Sequence, residues 1–474
     1  MQARSCFWIL TLVSLVSTGM LEARQPAPGT KPNIIFILAD DLGYGDLGCY
    51  GQTKIKTPHL DRMALEGMRF DQFYAGSTVC APSRSVLMTG MHMGHTRVRG
   101  NAGPEGSGPQ MLRDEDVTVA EVLKRAGYAT ALVGKWGLGM PGDEGVPHRQ
   151  GFDHFYGFLS QHRAHNHYPE YLWRNDTKVE LPNPVVPVGN HGGGYSTNGL
   201  VYADDLFAEE ALRYVSEHHR DPFFLYLSFV VPHANNERTR MLKDGQEVPS
   251  YDPYAGEEWI NPHKGQAAMI TRMDRHIGRL FKRLRDLGID EQTLVIFTSD
   301  NGPHREGGND PKFFDAAGPL RGIKRALTDG GIRVPFIVRW PGRVAAGQTS
   351  NHVGYFGDFM ATAADLAGTG VPAGCDSISL LPTLLGHALQ QRQHPYLYWE
   401  FHEGGFDQAV ILEGRWKGIR LGRLSAPIEI YDLHADVGEA RNLAAERKDL
   451  VAEMGLIMHW AHADSPLWPI REKK

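Results

Sequence analysis

Two short apolar runs fix the kind of sheet this chain can build. Asn33-Ile34-Ile35-Phe36-Ile37-Leu38-Ala39 lacks polar alternation, and Leu294-Val295-Ile296-Phe297-Thr298-Ser299 has the same character. A strand with one face in water alternates apolar and polar side chains, whereas a strand covered by helices on both faces does not. Both runs therefore predict central strands of a parallel sheet. Each ends in oxygen-bearing side chains, Asp40-Asp41 in the first and Asp300-Asn301-Gly302 in the second. Two further runs repeat the pattern. Ala129 to Gly134 delivers Lys135, and Phe223 to Val231 delivers His233 after Pro232. Ligands bind beyond the carboxyl ends of strands in open α/β sheets, so the four runs predict one site.

Between these strands lie helical segments with readable ends. Thr57-Pro58 predicts a cap and a helix reaching Met68, and Thr118 with Glu121 forms a capping box that Gly127 closes. Residues 203–219, 266–287 and 358–366 carry apolar side chains at helical spacing, as in Met269, Met273, Ile277, Leu280 and Leu284. Strands alternating with helices argue for a doubly wound sheet. Gly- and Pro-rich residues 103–109, 181–194 and 303–319 read as loops of the kind that line a cleft. Near residues 382–393 the pattern changes. Short strands within 396–420 and a helix near 450–462 predict a smaller C-terminal domain over 394–474, after a catalytic domain over 31–385.

A chain of 474 residues, 42% hydrophobic and 22% charged, suits one large α/β domain with a smaller companion. Residues 1–23 read as a secretory signal peptide, with Arg4 before the apolar run from Cys6 to Val16 and small residues near Ala23. Leu21 makes the cleavage site imperfect, so an uncleaved anchor is the competing reading; the run is short for a bilayer span. The expected destination is export to a periplasm or cell exterior, or the secretory and lysosomal route in a eukaryote. A net charge of −6 argues against a general nucleic-acid binder. Of the cysteines, Cys6 leaves with the leader, and Cys49, Cys80 and Cys375 are too few for a disulfide scaffold. Cys49 and Cys375 can pair or stay as two small thiols.

Cys80-Ala81-Pro82-Ser83-Arg84 carries the most chemistry. Pro82 suits a first helical turn, which places Cys80 at the helix start, where unpaired N–H groups favour an anion. A cysteine there, one turn before Arg84, fits an activated thiolate, a metal ligand, a modified residue or a half-buried structural thiol.

This segment, running on to Thr89-Gly90, resembles the signature of the type I sulfatases. The resemblance extends from Asn33 to the Tyr431-Asp432-Leu433 and Asn442-Leu443 region. It implies an alkaline-phosphatase-like sandwich and hydrolysis of sulfate esters, with a sulfated carbohydrate or aryl sulfate as substrate. It further implies conversion of Cys80 to formylglycine by a maturation enzyme, and one divalent cation, Ca²⁺ or Mg²⁺. Asp40, Asp41, Asp300, Asn301 and the modified Cys80 match the family's metal ligands, and hard oxygens suit such ions. Arg84 belongs to the signature, Lys135 and Lys324 match the sulfate-binding lysines, and His233 matches a general acid. Many members carry a histidine where this chain has Gly137. His162, His165 and His167 in the nearby run are candidates to replace it or to contact the sugar, and His304 is a further candidate contact. The competing functions are a phosphonate or phosphate ester hydrolase of the same superfamily, and a sulfated-glycan-binding protein without turnover.

Overall fold

The computed structural model describes residues 31–103, 110–189 and 192–473. The expected signal peptide and residues 104–109 of the expected loop lie outside them. Ten strands form one sheet, in the spatial order Gln348–Ser350, Met68–Phe70, Phe336–Arg339, Thr293–Ser299, Asn33–Asp40, Phe223–Pro232, Ala129–Lys135, His154–Phe158, Tyr171–Arg174 and Thr177–Glu180. The five from Thr293–Ser299 to His154–Phe158 run parallel. Phe336–Arg339 and Tyr171–Arg174, at the two flanks of that block, are antiparallel to it.

All eight residues of Asn33–Asp40 are buried, as an unbroken apolar run requires. Successive side chains enter opposite layers. Ile34, Phe36 and Leu38 pack with helices Cys80–Thr89, Val119–Arg125 and Asp358–Ala367. Ile35, Ile37 and Ala39 pack with Pro58–Leu65, Ala203–His218 and Asn261–Asp286. The result is a helix–sheet–helix sandwich whose central strands have no wet face. Truncating one such side chain, for example Phe36→Ala, costs about 3–5 kcal/mol.

Local readings hold where their cause is local. Thr118 Oγ1 accepts from the Glu121 N–H at 3.2 Å while Glu121 accepts from the Thr118 N–H at 2.8 Å. Thr57, by contrast, makes no cap bond. Its hydroxyl donates to Asp61 and accepts from the Gly48 N–H, and the helix start is held instead by Asp274. The helix stops at Leu65 rather than Met68. Gly67 passes so close to the next strand that a Cβ there would lie 2.1 Å from the Val338 carbonyl oxygen, and Met68–Phe70 continues as a strand paired with Phe336–Arg339. The long helix begins at Asn261 rather than Gln266, with Pro262 in its first turn. Residues 181–194, expected as loop, contribute to a small hairpin of Val185–Pro187 with Gly194–Ser196.

Strands Tyr396–Phe401, Asp407–Leu412, Trp416–Arg420 and Glu429–Asp432 form an antiparallel meander. One face, with Tyr398, Val410 and Ile430, packs on Leu450, Met454 and Met458 of helix Lys448–Trp460. The other face sends Leu397, Trp399 and Ile411 into the main core. Residues 31–474 accordingly cluster as one compact unit. Cys49, Cys80 and Cys375 are free thiols, so Cys49 and Cys375 do not pair. Among the described residues no helix is long and apolar enough to cross a membrane.

Candidate active site

The parallel register sets Ala39 beside Ser299, which brings two strand ends level. Asp40 closes its strand and Asp41 follows with φ 67°, a left-handed conformation that is strained for a residue with a Cβ. That turn lets consecutive carboxylates face one centre. The Asp41 N–H donates to Asp300 Oδ1 at 3.1 Å, and Asn301 Nδ2 donates to Asp41 Oδ1 at 2.7 Å.

Cys80 is the first residue of a helix buried along its whole length, Cys80–Thr89. Its Sγ lies 3.4 Å from Asp40 Oδ1. Burial, and then the Asp40 carboxylate, push the thiol well above its ordinary range, so the residue is no ready thiolate. Arg84, one turn on, donates to Asp300 Oδ2 through Nε at 3.2 Å and Nη2 at 2.8 Å, and to the Lys135 carbonyl at 2.8 Å. It also reaches Ser228, the polar break in the apolar run that delivers His233. Lys135 bonds Asp40 from its own strand end.

Lys324 arrives from a loop and donates to Asp41 Oδ2 at 2.7 Å and to His233 Nε2 at 3.2 Å. His233 Nδ1–H donates to the Ala234 carbonyl at 2.7 Å, leaving Nε2 as the acceptor. Burial, and then Lys324, hold this imidazole well below its usual pKa and keep it neutral. Burial opposes the charge on Asp40, yet Lys135, Arg84 and Lys324 outweigh it and hold the carboxyl well below the usual range. Asp300 is pushed up to about 7 by burial and by Asp40, against the pull of Arg84.

Asp40, Asp41, Asp300 and Asn301 are thus gathered with Cys80, and they fit a hard divalent cation. Asn301 Oδ1 is buried without a hydrogen-bond partner among the described residues, a cost that coordination to a cation would remove. Ligand atoms of Asp40, Asp41, Cys80 and His233 lie within 4.8 Å of one another, and carboxylate and amide oxygens suit Ca²⁺ or Mg²⁺ better than a thiolate-seeking metal.

The other histidines frame His233. The His165 ring lies parallel to it at 4.7 Å, with Nδ1 3.1 Å from Glu237 Oε2. His162 sits 5.6 Å beyond His165, ring to ring. His167 is buried and donates from Nε2 to the His233 carbonyl at 2.8 Å, so it positions the segment. His304 donates to the Pro232 carbonyl and accepts from the Glu306 N–H, which occupies both ring nitrogens. At Gly137, φ is 82° and a Cβ would lie 2.3 Å from Gln161 Oε1. Gln161 is buried, its Nε2 3.4 Å from Asn101 Oδ1, which also accepts from the Ala81 N–H. A neutral amide therefore occupies the space beside residue 137.

Sequence reasoning missed Gln161, Asn101, Glu237 and Glu306. Glu306 accepts from Arg325 Nη1 at 2.8 Å and lies 3.9 Å from Lys324 Nζ. Burial works against its charge, but Lys324 and Arg325 hold it well below the ordinary carboxylate range. A strand-end rule reaches none of the four, since Asn101, Gln161 and Glu306 lie on loops and Glu237 lies in the first turn of helix Asn236–Leu242. Ser228 alone carried a signal, as a polar residue inside an apolar run.

Three carboxylates, of Asp40, Asp41 and Asp300, face three cations, of Arg84, Lys135 and Lys324. A dication added to that balance leaves net positive charge at a helix start, which is the equipment of a hydrolase for anionic esters. The family model described as Sulfatase matches residues 32–369, and one described as N-sulphoglucosamine sulphohydrolase, C-terminal, matches residues 323–459. The chain belongs to the sulfatase family and is a sulfuric ester hydrolase. It is 33% identical to N-acetylgalactosamine-6-sulfatase of Rattus norvegicus, covering 98% of this chain and 85% of that one. To N-acetylgalactosamine-6-O-sulfatase of Bacteroides thetaiotaomicron it is 30% identical, covering 90% and 92%. The crystal structure of Ps i-CgsB in complex with k-i-k-neocarrahexaose matches with a TM-score of 0.75 at 26% identity, covering 93% and 95%.

Proposed function

We propose that the chain hydrolyses a sulfate ester on a carbohydrate, with N-acetylgalactosamine 6-sulfate the first substrate to test. The proximity of Cys80 to the oxygen ligands carries this reading, since Sγ and Asp40 Oδ1 are 3.4 Å apart at a buried helix start. Two relatives named for the 6-sulfate of that sugar support the substrate class. A cation held by Asp40, Asp41, Asp300, Asn301 and residue 80, Ca²⁺ by the hardness of the donors, would draw charge from the sulfuryl oxygens. Cys80, matured to formylglycine by a dedicated enzyme of the host, would supply the nucleophilic hydroxyl.

The remaining roles fall to unmodified side chains. Lys135 and Lys324 neutralise the transferring group, in a site where both ammoniums are buried and already aimed inward. Arg84 fixes Asp300 and the end of the Lys135 strand. His233 serves the departing alcohol as proton donor once the anionic ester offsets Lys324, the cation that otherwise keeps the ring neutral. His165, stacked on His233, and His162, whose ring lies next to that of His165, are assigned to contact the sugar. Export follows from the leader at residues 1–23.

The test is sulfate release from N-acetylgalactosamine 6-sulfate by matured enzyme, beside an aryl sulfate and an aryl phosphonate. Release from the sugar, with the phosphonate slower, is expected. Faster phosphonate cleavage would instead favour the ester hydrolase alternative, and tight sugar binding with no release would favour a glycan-binding protein.

A further inference from the structure

We propose that Glu306 is a recognition residue for the sugar, accepting a hydrogen bond from a ring hydroxyl near the sulfated carbon. The inference rests on the carbohydrate-sulfate reading and adds a named contact to it. Glu306 follows the metal-site residue Asn301 on the same loop, with its side chain only 20% exposed. One oxygen, Oε1, is fixed by Arg325 Nη1 at 2.8 Å. The other, Oε2, is buried and has no hydrogen-bond partner among the described residues. It lies 3.9 Å from Lys324 Nζ, beyond hydrogen-bond length, while that ammonium is spent on Asp41 and His233.

A carboxylate beside a site that must accept a sulfate anion works against that anion. Its free oxygen can only accept a hydrogen bond, so it needs a neutral donor. A sugar brings hydroxyls to this position, whereas an aryl leaving group brings none. Arg325, which holds the carboxylate, is itself in a left-handed conformation at φ 76°. Strain of this kind persists where the surroundings demand it, and here it lets adjacent residues serve two tasks: Lys324 turns to Asp41 and Arg325 to Glu306.

The contact separates sugar from aryl substrates. Glu306→Ala and Glu306→Gln, matured like the parent, are compared on N-acetylgalactosamine 6-sulfate and on 4-nitrophenyl sulfate, with melting measured alongside. The alanine variant should lose about ten- to a hundredfold in kcat/KM on the sugar, mainly through KM, and stay within about threefold of the parent on the aryl sulfate. The glutamine variant, which keeps a carbonyl acceptor, should lose less and melt with the parent. Equal losses on both substrates would mean that Glu306 acts through Lys324, and unchanged sugar kinetics would mean that it touches no sugar; either overturns the assignment alone. A parent that cleaves the aryl sulfate but not the sugar overturns the carbohydrate reading and the contact with it.

Discussion

Lys324 is the clearest case of one side chain tied to one task. Its ammonium is buried among Asp41, Glu306 and His233, and those carboxylates, Asp41 above all, hold its pKa well above the ordinary value against the pull of burial. In the proposed mechanism this charge acts where the transition state gathers negative charge. Lys324→Ala should lower kcat at saturating substrate by about two to three orders of magnitude. The metal-loaded variant should still melt cooperatively, because the cation continues to compensate Asp41. Parental turnover in that variant would remove Lys324 from the site. At this scale the strand-end acids were legible, since an apolar run that stops at Asp40-Asp41 or Asp300-Asn301 says where its carboxylates must lie. Gln161 and Glu306 were not. Their places depend on how loops return to the sheet, and no local pattern encodes that Gln161 fills the space above Gly137.

Asp274 shows the same division between elements. It sits in helix Asn261–Asp286 and accepts from the His59 N–H at 3.0 Å and the Leu60 N–H at 2.8 Å, thereby capping helix Pro58–Leu65 from across the layer. Thr57 read as the cap because capping residues usually lie next to their helix. Burial raises the Asp274 carboxyl from 3.8 to about 7. The folded chain therefore holds a proton there that the unfolded chain has already released, and stability from this group declines as pH rises from about 4 to 7. Asp274→Asn keeps the accepting oxygen without the charge. Its melting temperature relative to the parent should be higher at pH 8 than at pH 5; a difference that does not change with pH would contradict the assignment. Strands and helices driven by burial were readable, whereas the break at Gly67 arises from a tertiary contact with Val338.

For the whole molecule, one sheet carries both the core and the proposed cation site, so metal binding at that site should be coupled to folding. Asp40, Asp41 and Asp300 converge from two strands, and without a dication their mutual repulsion is left to Arg84, Lys135 and Lys324 and to hydrogen bonds such as that from Asn301 to relieve. Chelation should lower both melting temperature and activity, and added Ca²⁺ should restore both; unchanged melting after verified metal removal would contradict a cation at this centre. The layered architecture and its smaller C-terminal sheet followed from the order of strand and helix patterns. The way that sheet joins the main core through Trp399 did not, because Tyr396–Phe401 reads as a strand whichever partner covers it. Turnover itself should depend on the chemical state of residue 80 in each molecule. Preparations matured to different extents can be assayed for sulfate release and, in parallel, for the fraction of residue-80 peptides carrying an aldehyde by mass spectrometry. Specific activity should rise in proportion to that fraction and extrapolate to zero with it, whereas full activity from chains that retain the Cys80 thiol would contradict catalysis by formylglycine at this site.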